Sequence, residues 1–254
     1  MLNPKLKICL LAVVLATVSF FTAWAYNWAS QRVIEANCAG NMKTIALALE
    51  NYQSMHKRYP SPDFGGHSWR IRCLPFVLAS SMYNQYRFDQ RWDSTENITL
   101  DMRLLQNKKD DVSMSVHGIP YAYPCKYNLD VHGASYLMIV GDNAFGKPDG
   151  WRVSTEIVDG LETTISVAET KRTDIHWLSP KDFVFDQMSL VVNDGPNSIS
   201  SDHPRGPAVI FCDGAVYRLN PAIDRDTLLA MLTINGGEDL SRRRLVTGGL
   251  LVQP

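Results

Sequence analysis

The pattern of apolar and polar positions changes character twice along the chain. From Ile8 to Trp28 it reads ICLLAVVLATVSFFTAWAYNW, uninterrupted by Asp, Glu, Lys or Arg. An α-helix needs roughly 20 apolar residues to cross a hydrocarbon core of about 30 Å. Lipid offers the backbone no hydrogen-bond partner, so a spanning segment of this kind is helical. Lys5 and Lys7 precede the run, and Arg32 and Glu35 are the charges that soon follow it. This bias predicts a cytoplasmic amino terminus and export of everything beyond Trp28. Trp24, Tyr26 and Trp28 then fall at the outer interface, where amphipathic rings settle. The same residues also fit a signal peptide, with Lys5 and Lys7 as n-region, Ile8–Phe21 as h-region and Ala23-Trp24-Ala25 as cleavage site. The run is longer than a usual h-region and helix-compatible sequence continues past it, which favours the anchor. Both readings export the rest.

From Ala29 to His56 there is no Pro and one Gly, Gly40. Ile34, Cys38, Met42, Ile45, Leu49 and Tyr52 recur at steps of three or four and share one stripe of a 3.6-residue wheel. Glu35, Lys43, Glu50 and Lys57 lie to the other side. The spacing predicts an amphipathic helix continuous with the membrane helix, giving one rod of roughly 50 residues. Pro60 and Pro62 stop it. His67–Phe88 reads as one or two short helices around Pro75. Ser94 or Thr95, in WDSTEN, caps a further helix, and Asp110–His132 reads as irregular.

Beyond residue 133 the period shortens. Ala134–Val140, Thr163–Ala168 and Pro207–Cys212 read as buried strands, and Ala215–Leu219 alternates like a half-exposed one. Asp213-Gly214 between the last two predicts a tight hairpin with a type I′ turn. Asp224 caps a short helix carrying Leu228, Leu229 and Leu232, closed by Gly236-Gly237. Helices first and strands later predict an α+β fold with a mainly antiparallel sheet. The expected division is a cytoplasmic tip and transmembrane helix, or a signal peptide (1–28), an exported domain (29–240) and a C-terminal tail (241–254).

Composition narrows the function. The chain has 254 residues and a net charge of −1, a balance that argues against a nucleic-acid surface. The densest basic cluster, Arg242–Arg244, reads as a solvated face or tail. Of the five cysteines, Cys9 lies in the apolar run. Cys38, Cys73, Cys125 and Cys212 would face an oxidising compartment, where disulfides persist, and their three complete pairings stay open. No C-x-x-C is present, which speaks against a zinc ribbon or a thioredoxin-like site.

Several ordered segments resemble one family. Cys38–Pro60 (CAGNMKTIALALENYQSMHKRYP) is similar to the segment C-S-N-N-L-K-Q-x-x-L-A-L-x-N-Y followed by Pro in a large bacterial family of prepilin-like, secreted-side proteins. That family's shared domain is catalogued as one of unknown function, and its members are often labelled general-secretion pathway G-type pseudopilins. Ser68–Val77, Tyr86–Ser94, Ser135–Phe145 and Val158–Thr170 continue the match. His203 stands nine residues before Asp213-Gly214, like the family's H-x9-D-G signature. The resemblance implies a pilin-like fold, with a long amino-terminal helix packed on an antiparallel sheet. The family's usual G-F-T-L-x-E peptidase site has no counterpart here: no Gly-Phe precedes the apolar run and no Glu occupies its fifth position. Cys38 lies on the helix stripe, and Cys125 lies where family members often carry a Cys-Pro, so the resemblance implies a Cys38–Cys125 bridge.

The same pattern singles out His203, Asp213 and Glu169 as candidate binding residues. A small metal or carbohydrate site is the functional reading. Against it, Asp213-Gly214 has a sufficient local cause as a turn, with His203 bonding backbone nearby and Glu169 satisfying donors at a strand end. Asp142, Asn143 and Asp149 in GDNAFGKPDG are turn formers more than calcium ligands. His176-Trp177 reads as packing or as a sugar platform. No G-x-S-x-G, G-x-G-x-x-G or P-loop is present, so no enzyme is expected, and no metal or cofactor is assigned. The leading expectation is a single-pass inner-membrane protein with its body periplasmic or extracellular. It would contact the bilayer through residues 8–28 and other pilin-like subunits or secretion components through its body. The alternative is a membrane-tethered binding module for a glycan or other extracytoplasmic ligand.

Overall fold

The computed structural model describes residues 3–77, 79–100, 133–172 and 174–254. Helix α1 runs unbroken over Pro4–His56, 53 residues, which at about 1.5 Å per residue makes a rod of about 80 Å. Asn3 caps it by accepting the Lys5 N–H, with Pro4 in the first turn, where its missing donor costs nothing. Leu10, Leu11, Val14, Phe20, Phe21 and Trp24 are all at least half exposed. This part of the helix is long and apolar enough to cross a membrane.

The second half of α1 does the opposite. Cys38, Met42, Ile45, Ala46 and Leu49 are buried, packed on the sheet described below. The helix ends where Lys57 turns left-handed (φ 57°) and returns its N–H to Gln53 O, ahead of Pro60. After it come α2 (Trp69–Cys73), capped by Ser68, a 3-10 turn (Leu74–Val77) and α3 (Ser80–Gln85). Helix α4 starts at residue 95 and is described to residue 100; Ser94 Oγ accepts the Asn97 N–H at 3.3 Å. The span 110–132, read as irregular, lies outside the described residues.

Among the described residues the strands form one six-stranded sheet: β1 (Tyr136–Val140), β2 (Ile165–Glu169), β3 (Phe183–Val184), β4 (Ala208–Phe211), β5 (Val216–Leu219) and β6 (Leu251–Val252). Their order is β3-β1-β2-β4-β5-β6. The β1–β3 pairing is parallel and the others are antiparallel. Helix α5 (Arg225–Leu232) is capped by the Asp224 side chain on Thr227 N–H and packs on β2. Helix α6 (Arg242–Thr247) leads into β6. The fold is α+β, with a long amino-terminal helix and a mixed, mainly antiparallel sheet.

An ion pair ties the α2 region to the sheet. Arg70 Nη2 donates to Asp182 Oδ1 at 2.6 Å, with both side chains almost wholly buried. Asp182 also accepts from Trp69 Nε1 (3.0 Å) and from the Met138 N–H (2.8 Å) on β1. Burial pushes the Asp182 carboxyl up to about 6, against the downward pull of Arg70 and of these N–H donors.

Four local expectations need correction. The β4–β5 connection is not a type I′ turn. Gly214 N–H bonds Phe211 O, and Phe211 N–H bonds Ala215 O. That makes a three-residue loop, which needs positive φ only at its last position. Gly214 (φ +81°) supplies it, and among described residues the non-glycine positive φ values fall at Lys57 and Asn193. Strand β5 is not half-exposed at Arg218, which is fully buried; α1 covers that side, and Arg218 Nη2 donates to Glu35 O at 3.3 Å. Glu35 itself, placed by the wheel away from the core, is buried because Arg205 binds its carboxylate at 2.9 Å. Arg242 is not a solvated tail residue: its guanidinium grips Asp213 at 2.7 Å and sits over the rings of Phe211 and Tyr217. Within residues 241–254, Arg242–Thr247 form α6 and Leu251–Val252 form β6.

Candidate functional site

The residues singled out by their chemistry separate into two places. Glu169 is the last residue of β2, and the β2–β4 ladder brings it against Ala208, whose N–H donates to Glu169 Oε2 at 2.8 Å. His203 lies in the turn before β4, held by its N–H on Ser201 Oγ (3.1 Å) and its carbonyl on Gly206 N–H (2.9 Å). These constraints place His203 Nε2 at 3.3 Å from Glu169 Oε1. The third member arrives from the far end of the sequence. Cys38, on the inward stripe of α1, brings its sulfur to the same point, and the ligand atoms of Cys38, Glu169 and His203 all lie within 4.8 Å of one another.

Arg218 from β5 backs this cluster. Its Nη1 donates to Gly206 O at 2.8 Å and stands 3.9 Å from Glu169 Oε2. Its Nη2 reaches Glu35 O on α1. A carboxylate taken from water is costly unless charge and hydrogen bonds replace the solvent; Ala208 N–H, His203 and Arg218 do so here. The group therefore links α1, β2, β5 and the turn before β4 through polar contacts in a dry interior. Glu169 and His203 are 2% and 4% exposed, so neither presents a surface to a large ligand.

Asp213 is elsewhere, at the β4–β5 loop. It accepts Ala215 N–H at 3.1 Å and the Arg242 guanidinium through both carboxylate oxygens. It forms the turn and fastens the start of α6. Asp142, Asn143 and Asp149 are exposed in their loop, which is braced from inside by Arg152 on the carbonyls of Phe145 and Asp142; burial lowers the pKa of that guanidinium. Trp177 is fully buried and offers no face to a sugar, while His176 Nδ1 takes the Leu178 N–H and its ring lies beside Trp92. Cys38, Cys73 and Cys212 are buried; Cys125 lies outside the described residues, and the Cys38–Cys125 bridge with it. Residue reading missed Arg218, Glu35 and Arg205. The available signal was an Arg inside an otherwise apolar strand, two positions after Val216 and hence on the same face.

Gly206 sets the turn that carries His203. Its φ is +86°, and a Cβ there would run into the Leu219 carbonyl oxygen and meet Pro221 Cδ at 3.1 Å. Gly206→Ala is expected to cost about 2–4 kcal/mol and to lower the melting temperature by about 10 °C, read by circular dichroism on detergent-solubilised protein. An unchanged melting temperature contradicts the close approach.

No curated protein and no solved structure matches the chain. The model of a family described as "Protein of unknown function (DUF1559)" matches residues 35–190, a span that opens inside α1 and takes in β1, β2 and β3. The chain belongs to that family.

Proposed function

We propose that this chain is a membrane-anchored, exported, pseudopilin-like structural or interaction protein. One observation carries the reading: α1 is a single helix whose first half is apolar and uncovered and whose second half is the spine of the folded body. An apolar helix left open all round is at home in lipid. The lysines before it and the aromatic residues at its far end support a cytoplasmic amino terminus and a body in the periplasm or at the cell surface. The helix-on-sheet arrangement and the His203-to-Asp213-Gly214 spacing support the pilin-like comparison. The occupants proposed are the bilayer through residues 8–28 and, for the body, other pilin-like subunits or secretion components. Val33, Leu47 and Met55, exposed apolar residues on the outward side of α1, support such contacts. The burial of Glu169, His203 and Trp177 leaves the glycan-binding alternative without support, and the role proposed is not catalytic.

The test is fractionation with amino-terminal sequencing of the mature protein. The expected result is a carbonate-resistant membrane protein that begins at or near Met1 and is cut only by protease added from the outer side. A start at Tyr26 in the soluble fraction means a released protein and ends the anchor reading. A methylated start near the apolar run would add pilin processing to it.

A further inference from the structure

We propose that Cys38, Glu169 and His203 form a binding site for a divalent transition metal of the zinc class, which pins α1 to the sheet. The three residues come from a helix, a strand end and a turn, so their convergence is not a by-product of local sequence. All three are at least nine-tenths buried, and their donor atoms lie within 4.8 Å of one another. Zinc takes sulfur at about 2.3 Å and nitrogen or oxygen at about 2.0–2.2 Å, so a tetrahedral ion needs donors roughly 3.3–3.7 Å apart. The Glu169 Oε1 to His203 Nε2 separation of 3.3 Å already meets this, and the Cys38 sulfur has to close by about 1 Å at most.

The surroundings orient the donors as a metal site requires. Glu169 Oε2 is held by the Ala208 N–H and faces Arg218 at 3.9 Å. The other oxygen, Oε1, is turned toward His203. Such outer contacts fix the carboxylate and keep the guanidinium on the oxygen that does not ligate. Metal binding displaces the thiol proton, so the Cys38 thiolate offsets half of the charge of a divalent ion, while the Glu169 carboxylate stays balanced by Arg218. The donor set of thiolate, imidazole and carboxylate selects zinc or a similar ion over magnesium or calcium, which take oxygen. Bound metal would couple the membrane helix to the body, stabilising the folded state by its differential affinity.

The full-length chain in detergent, reduced and stripped with chelator, is loaded with Co2+ and separately with Zn2+. The expected results are a thiolate-to-cobalt charge-transfer band in the near ultraviolet and about one tightly held zinc per chain. Cys38→Ser and His203→Asn should each weaken zinc binding by more than about a hundredfold, whereas Cys212→Ser should leave it unchanged. Wild-type X-ray absorption at the zinc edge should show sulfur at about 2.3 Å, a measurement that holds even where a variant does not fold. Absence of the cobalt band, a zinc shell of nitrogen and oxygen only, or a band that survives Cys38→Ser overturns the proposal. So does peptide mapping that finds Cys38 in a disulfide, with Cys125 or any other cysteine. The site stands independently of the membrane reading, since a released body carries the same three residues.

Discussion

Arg70→Met is expected to lower the unfolding free energy by about 3–5 kcal/mol, because it strands the Asp182 carboxylate in a dry interior. Arg70 and Asp182 meet at 2.6 Å with 0% and 2% of their side chains exposed. The melting temperature should fall by about 10 °C or more. The double variant Arg70→Met, Asp182→Asn removes both charges and keeps an amide oxygen for the Met138 N–H donor. It should recover part of the loss; a double variant as unstable as the sum of the single ones would refute the pairing. The pair also carries a pH signature. The folded pKa of Asp182 is raised to about 6, above the unfolded carboxylate value of about 3.9. Between these values the folded state holds more protons than the unfolded state, so stability falls as pH rises. The contribution is complete below about pH 4 and lost on passing through about pH 6, an effect of about 3 kcal/mol. In Arg70→Met the window moves higher, because the cation that pulls the pKa down is gone. Denaturant titrations at several pH values measure the slope, and a slope of the opposite sign in this window would count against burial as the dominant influence.

The second large effect concerns the uncovered half of α1. Val14→Arg with Val18→Arg puts two charges on residues that are more than half exposed near the middle of the apolar run. Each costs about 2.5–3.5 kcal/mol at the centre of a spanning helix. The pair therefore shifts insertion by about four to five orders of magnitude. The doubly substituted protein is expected in the carbonate-soluble fraction or degraded, while Val14→Leu with Val18→Leu stays in the membrane. Retention of the arginine variant in the membrane would mean that something other than this helix holds the protein there.

The elements readable from residues alone were those with a strong period. The stripe from Cys38 to Tyr52 follows from steps of three and four, the caps at Ser94 or Thr95 and at Asp224 from side chains that accept a backbone N–H, and strands β1, β2 and β4 from short apolar runs. Strands β3 and β6 were not readable. Each is two residues long, too short for a period, and each exists because a longer neighbour offers it an edge. Arg218 and Glu35 were misjudged for one reason: strand alternation and a helical wheel tell which residues share a face but not what covers that face. The Asp213-Gly214 turn was placed correctly and its type misread, because loop length, which decides the type, depends on where the flanking ladder closes. Glu169 and His203 were singled out by resemblance. Their meeting with Cys38 depends on tertiary packing between α1 and the sheet, for which local spacing carries no signal.

Because α1 passes from its apolar stretch into the core without a break, there is no swivel between the two halves of the helix. In the anchored protein proposed above, a tilt of the helix, such as a thinner or thicker bilayer would impose, would turn the whole sheet with it like a lever arm.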